Sequence, residues 1–204
     1  MGIKTLFSKN TVAVLMVSGA LGFAACGSNS ETDTTTDSTA NTANGQTTEN
    51  AQTAAQTAVG TLSGTTADTS VTGNVRFEHQ GDGKVKMTLD ITVEKMAGKS
   101  VAVHLHEKSD CGDHGNHAGG HWNPTGENHG KWGEGSFHSG DFGNITLDAS
   151  GKGTLELSSD RWSVGGDEKT NVVNKTIVVH SGMDDFKTQP SGNSGSRIGC
   201  GIIQ

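Results

Sequence analysis

The chain has 204 residues, a formal net charge of −7 at pH 7 and only 4% aromatic residues. That length holds one domain with extensions, and the acidic balance argues against nucleic acid as a partner. It also makes any anionic substrate depend on a local positive site rather than on a global field.

Residues 1–25 read as a secretory signal. Lys4 and Lys9 open it, and the apolar run TVAVLMVSGALGFAAC follows. The run is shorter than the ~20 residues of a membrane-spanning helix and ends in small residues. Its end, GFAAC, resembles a bacterial lipobox with Cys26 as the lipid-bearing residue, although Phe23 stands where such motifs usually carry Leu. The plainer alternative is a cleaved signal whose final cysteine is incidental. Residues 26–58 read as a disordered Ser/Thr/Asn-rich tether. From 27 to 56 there is no aromatic residue, no Val, Ile or Leu and no base. Such a segment cannot bury enough apolar surface to offset its conformational entropy. Acylated at Cys26, it would hold a domain off a membrane.

Residues 59–204 then form the folded domain, with TAVGTL a weak strand candidate at its start. SVTGNVRFEHQGDGKVKMTLDITV carries two runs of period-two alternation about QGDG, which predicts a hairpin. In the second run Val85, Met87, Leu89, Ile91 and Val93 share one face. VAVHLH is the next strand. NITLDASGKGTLEL predicts a second hairpin about ASGKG, with Ile145 and Leu147 matched by Leu155 and Leu157. NKTIVVH and RIGCGIIQ close the chain. Short strands, frequent turns and no amphipathic helix predict an all-β sandwich or barrel. The segments 107–143 and 181–196 do not fit as strands. Loops that long inside a compact domain are usually functional. With Cys26 in an anchor, Cys111 and Cys200 remain, and an exported domain with two cysteines invites one disulfide.

Seven of the nine histidines fall between His104 and His138. His104 and His106, two apart on a strand, project from one face. His180 ends another strand. HWNPTGENHGKWGEGSFHSGD places His121, His129, His138 and Asp141 in a glycine-rich loop. Imidazoles suit copper or zinc, and a nearby aspartate suits zinc or a harder ion. A lone His-x-His is a weak signal, because satisfied histidines on sheets are common. Six histidines and an aspartate gathered on strand ends and long loops are a strong one.

These residues also carry a family pattern. HLH-x14-HWNP-x4-HG-x7-HSGD, followed by VVHSGMDD and GNSGSRIGCGII, resembles the copper/zinc superoxide dismutases, in particular their secreted bacterial branch. The resemblance covers essentially residues 59–204 and implies an eight-stranded Greek-key β-barrel, flattened and immunoglobulin-like, with two long functional loops. It assigns His104, His106, His121 and His180 to copper, and His121, His129, His138 and Asp141 to zinc, so that His121 bridges both ions. Asp184 would link a copper histidine to a zinc histidine. Cys111 and Cys200 would form the family disulfide, and Arg197 would attract and orient superoxide beside the copper. The sequence departs from the family at Ala102-Val103, Ser109 and Gly199, none of them a ligand.

The implied chemistry is dismutation of superoxide to O2 and H2O2. It needs an ion with two oxidation states, which copper has and zinc lacks. His121 would pick up and return a proton while zinc holds it in place. An exported, lipid-anchored enzyme of this kind, monomer or homodimer, would protect the cell envelope from external superoxide. The alternative is a non-catalytic envelope zinc- or copper-binding protein of the same fold, which would have no need of Arg197. A surface domain of immunoglobulin-like shape is a third reading, and the histidine cluster speaks against it. His114 and His117 lack an anchoring partner in the sequence and read as exposed loop residues rather than an auxiliary metal site. Lys187 reads equally as a solvated loop residue or an aid to substrate attraction. Trp122 and Trp132 are expected to shield the zinc loop, and Trp162 to pack a strand end.

Overall fold

A computed structural model describes residues 56–204. The leader, Cys26 and nearly all of the tether lie outside the described residues. Eight strands follow in chain order: β1 Thr57–Gly64, β2 Thr72–His79, β3 Val85–Thr92, β4 Ser100–His106, β5 Gly143–Thr146, β6 Lys152–Ser159, β7 Thr176–His180 and β8 Arg197–Ile202. β1 begins two residues ahead of the expected domain start. All neighbours pair antiparallel, in the order β5-β4-β7-β8-β1-β2-β3-β6. The two edge strands, β5 and β6, are consecutive in the chain and come together at the seam. Gly153 of β6 lies so close to β5 that a Cβ there would stand 2.4 Å from Ile145 Cγ2. The result is the nearly closed eight-stranded barrel, with the β3–β4 and β6–β7 connections crossing over in Greek-key fashion.

The alternation that the sequence shows is what closes the core. Val85, Met87, Leu89 and Ile91 of β3 are buried, and Lys86, Thr88, Asp90 and Thr92 are not. Phe77, Met87, Leu89, Leu105, Ile177 and Val179 are fully buried in one apolar cluster. Each such side chain contributes roughly 1.5–3 kcal/mol on burial. Gly199, where the sequence departs from the family, faces Val71: a Cβ there would stand 2.6 Å from Val71 Cγ1.

The second expected hairpin forms its turn but not its ladder. Asp148 Oδ1 accepts from the Ser150 and Lys152 amides at 2.8 and 2.9 Å. Beyond the turn, β5 pairs with β4 and β6 with β3. The backbone groups flanking the turn are taken by the 93–99 connection: Leu147 N–H donates to Lys99 O, Gly98 N–H to Asp148 O and Val93 N–H to Gly151 O, all at 2.8–2.9 Å. Those bonds splay the two strands apart and make them the barrel's edges.

β4 and β7 are buried on both faces, unlike an ordinary barrel strand. Val101, Val103 and Leu105 point into the core, while Ala102, His104 and His106 point outward under the long loops. On β7, Ile177 and Val179 point inward and Thr176, Val178 and His180 outward. Val178 packs there with Ala118, Cys200 and Cys111 in a small second cluster outside the barrel. Cys111 and Cys200 are disulfide-bonded, with Cα atoms 5.9 Å apart.

Candidate metal centre

His104 and His106 stand on rigid β4, and His180 ends its neighbour β7. His121 is drawn to the same place by backbone pairing with β4. It forms an isolated bridge with His106, and the Trp122 amide donates to Leu105 O at 2.7 Å. Gly140 docks the far end of the loop on the same strand, donating to Trp122 O and accepting from Leu105 N–H. A Cβ on Gly140 would fall 2.2 Å from Leu105 O, so only glycine permits this approach. The outcome is two buried groups, His104/His106/His121/His180 and His121/His129/His138/Asp141, each with its donor atoms within 4.8 Å of one another. His121 belongs to both.

Hydrogen bonds decide which nitrogen of each ring is free. His106 Nδ1 donates to Gly119 O at 2.9 Å and His180 Nδ1 to Gly195 O at 3.3 Å. A carbonyl only accepts, so in each neutral ring Nε2 carries a lone pair. His104 Nε2 donates to Asp184 Oδ2 at 2.8 Å, leaving Nδ1. Among the described residues, the buried side-chain nitrogens without a hydrogen-bond partner are His104 Nδ1, His106 Nε2, His121 Nε2, His129 Nδ1 and His180 Nε2. Orphaned buried acceptors are costly. Four of these five converge in the first group, where a cation would satisfy them.

In the second group the donors gather on one carboxylate. His121 Nδ1 lies 2.8 Å and His138 Nδ1 3.0 Å from Asp141 Oδ1, and His129 Nδ1 lies 3.0 Å from Oδ2. That last contact is an ion pair rather than a hydrogen bond. These spacings approach the roughly 3.3 Å between ligand atoms of a tetrahedron with ~2.0 Å bonds. The His138 and Gly130 amides donate to Asp141 Oδ2 at 2.8 and 3.0 Å.

Burial and charge set the protonation states. Burial alone would raise Asp141, but the imidazoles of His121, His129 and His138 and the His138 amide hold it far below the usual carboxylate range. Burial opposes ionisation of Asp184 too, and His104, His129 and the Phe186 amide override it downward. Burial, aided by the charges of His104 and His129, lowers His121 to about 4 against the pull of Asp141. Burial likewise lowers His104, His106 and His180. His129 goes the other way. Burial opposes its charged form, yet Asp141 and Asp184 together raise it to about 9.

Asp184 spans the groups, accepting from His104 Nε2 through Oδ2 and from His129 Nε2 through Oδ1 at 2.9 Å. Asn144 brackets its backbone, accepting from Asp184 N–H at 2.8 Å and donating to Asp184 O at 3.0 Å. Sequence reasoning missed Asn144, because nothing local marks a strand-start asparagine as the support of a residue 40 positions away. It missed the Gly119 carbonyl as well, which accepts from both His106 and Arg197 Nη2 at 2.9 and 2.7 Å. Arg197 Nη1 also donates to Gly115 O at 2.6 Å. The guanidinium is thereby fixed in the wall of a pocket of about 340 Å³ that it shares with His106, His121, His180, Asn123 and Pro190.

The remaining residues lie outside both groups. His114 Nδ1 donates to Thr65 O at 3.0 Å, and exposed His117 sits 3.3 Å from Asp110. Lys187 is exposed. Trp122 and Trp162 are buried in the core, and Trp162 Nε1 donates to Ser139 O at 3.0 Å. Trp132 packs at a tilt against Trp162 and Phe137, ring centroids 4.8 and 5.1 Å away.

The family model for copper/zinc superoxide dismutase (SODC) matches residues 71–203. The Cu-Zn superoxide dismutase of Podospora anserina is 34% identical over 142 residues, covering 66% of this chain and 90% of that protein. The extracellular Cu-Zn superoxide dismutase of Caenorhabditis elegans is 32% identical over 141 residues, which is 66% of this chain but 62% of that longer protein. The crystal structure of the clock protein EA4 superimposes with a TM-score of 0.64 and 30% identity, over 73% of this chain and 94% of that one. Barrel, ligand groups and relatives agree: the chain belongs to the copper/zinc superoxide dismutase family, oxidoreductases with copper and zinc as their metals.

Proposed function

We propose that this chain converts two superoxide anions and two protons to O2 and H2O2 at the pocket beside Arg197. The observation that carries the reading is His121, whose two nitrogens face different groups, Nδ1 toward Asp141 and an orphaned Nε2 toward the other histidines. The residues fit the two metals. His104 Nδ1 and the Nε2 atoms of His106, His121 and His180 would hold copper in an all-imidazole set. The Nδ1 atoms of His121, His129 and His138 with Asp141 would hold zinc, and three histidines with one aspartate suit a closed structural site. His121 would thus bridge the ions. When bound, copper supplies the one-electron chemistry.

The chain's own residues do the rest. Arg197, held by three carbonyls, presents a fixed positive charge that gathers a small anion despite the acidic chain. His121 takes up a proton at Nε2, the nitrogen left free by the Nδ1–Asp141 contact, and returns it. Asp184 and Gly119 O hold the neighbouring rings in orientation, as partners of metal-bound histidines do.

The same proposal places the enzyme at the cell envelope, exported and lipid-anchored through Cys26, as in the secreted bacterial branch. The GFAAC motif, the apolar-poor tether and the Cys111–Cys200 disulfide support it. The test is to purify residues 27–204, load copper and zinc, and measure metal stoichiometry together with superoxide consumption. Metal-replete protein that does not consume superoxide would sink the reading in favour of a non-catalytic metal-binding protein.

A further inference from the structure

The loop 181–196 contributes no residue to the second ligand group, yet it grips that group at two points. Gln189 forms a pair of hydrogen bonds with the backbone of His129: the His129 amide donates to Gln189 Oε1 at 2.9 Å, and Gln189 Nε2 donates to His129 O at 2.9 Å. An amide side chain that reads both backbone groups of one residue acts as a short length of strand, and it fixes where that residue's Cα sits. The second point is Gly192. Its amide donates to Thr188 O at 2.7 Å and its carbonyl accepts from Asp185 N–H at 2.9 Å, which folds the loop back over Asp184. There a Cβ would stand 1.8 Å from Asp184 Oδ1 and 2.7 Å from His129 Nε2. The missing side chain is the space in which the Asp184–His129 hydrogen bond lies.

We propose that Gln189 and Gly192 form a clasp that positions His129, so that retention of zinc depends on a loop holding no zinc ligand. Gln189 sets the backbone of His129, and Gly192 leaves room for the carboxylate that orients its ring. Both are positioning residues, since neither reaches a ligand atom's metal face. Pro190 and Ser191, between them, line the pocket shared with His106 and Arg197. The clasp therefore couples the pocket's rim to the zinc loop. The inference rests on the proposed zinc assignment for its metal readout only.

Two variants and one control test it. Gln189 is exposed, so Gln189→Ala leaves the core intact. In metal-free protein the His129 amide should exchange with solvent at least about tenfold faster in Gln189→Ala than in wild type. In zinc-loaded protein, chelator competition should show zinc held about tenfold more weakly, the low end of losses on removing outer partners of ligands. Cobalt(II) placed in the zinc site should give a shifted visible spectrum, reporting altered ligand geometry. Gly192→Ala should weaken zinc at least as much. Its left-handed backbone, φ 66°, adds strain of its own, so Gly126→Ala serves as control. Gly126 has φ 70° with open space around its Cβ position, and its variant should keep wild-type zinc affinity. Wild-type zinc affinity and cobalt spectrum in both Gln189→Ala and Gly192→Ala would overturn the clasp. If wild type itself takes up no zinc, the functional reading fails, and the exchange rate of the His129 amide still decides the clasp.

Discussion

Arg197 owes its place to a fault in a ladder. β7 and β8 run in register until Val179 opposite Gly199, and then His180 pairs with Arg197 rather than with Ile198. The bulge turns Arg197 toward the pocket and returns Ile198 to the core, the re-aiming of side chains that bulges commonly perform beside active sites. Three carbonyl bonds then immobilise the guanidinium. Replacing Arg197 with Ala should lower the rate of superoxide consumption by about tenfold or more while copper and zinc content stay unchanged, because electrostatic focusing is worth ~10–10³ in association rate. Arg197→Lys should recover part of the rate, since a lysine keeps the charge without the fork that spans Gly115 O and Gly119 O. The wild-type rate should fall with added salt, and that dependence should flatten in Arg197→Ala. Equal rates and equal salt slopes in wild type and Arg197→Ala would contradict the role.

Among elements, the segment 111–119 does the most with the least regular structure. A single 3-10 turn, Asn116–Ala118, lies between the disulfide and Gly119. Ala118 packs on Val178 of β7, and the carbonyls of Gly115 and Gly119 hold Arg197 and His106. Cys111–Cys200 pins this segment to β8 across a sequence separation of 89. Closing so long a loop stabilises the fold by about 2–5 kcal/mol. The double variant Cys111→Ser/Cys200→Ser should therefore unfold at lower denaturant, with a loss in that range. It should also consume superoxide more slowly than its metal content accounts for, because Arg197 loses its fixed carbonyls. An unfolding midpoint equal to that of the oxidised protein would refute the first expectation. The β2–β3 hairpin was legible from period-two alternation, and the strands around this segment, buried on both faces, were legible as short apolar runs. The segment itself was not, since its contacts run through backbone carbonyls that no side-chain pattern announces.

For the whole molecule, the buried centre makes stability depend on pH in two opposite ways when metals are removed. His121 is lowered to about 4, and His104, His106 and His180 are lowered with it. Between the ordinary 6.5 and their folded values, the unfolded chain binds protons that the folded chain refuses, so stability falls as pH drops through that window. His129 is raised to about 9, so its contribution is full below 6.5 and lost as pH rises through 9. Asp141 and Asp184 are lowered, and what they contribute is kept above the ordinary carboxylate range. The metal-free protein should therefore melt highest near neutral pH and lower at both pH 5 and pH 10. A melting temperature in chelator that rises steadily from pH 7 to pH 10 would contradict the assignment of His129. With metals loaded, acidification should release zinc as its ligands protonate.

The sequence by itself determined which residues face the core and which could hold metal. Strand alternation has a period of two, and a His-x-His pair on a strand must share a face, so both facts are written locally. Even the glycine-rich loop announced its ligands by type and spacing. Tertiary structure alone decided the rest. It chose β3 and β4, rather than each other, as partners for β6 and β5, because the 93–99 connection takes the turn's backbone groups. It selected the free nitrogen on His106 and His180, because a ring's tautomer follows the carbonyl that folding brings to its other side. It gave His121 to both ligand groups, and it laid a loop without ligands across His129 at Gln189 and Gly192. Each of these outcomes depends on backbone atoms distant in sequence, whose positions exist only once the barrel has closed.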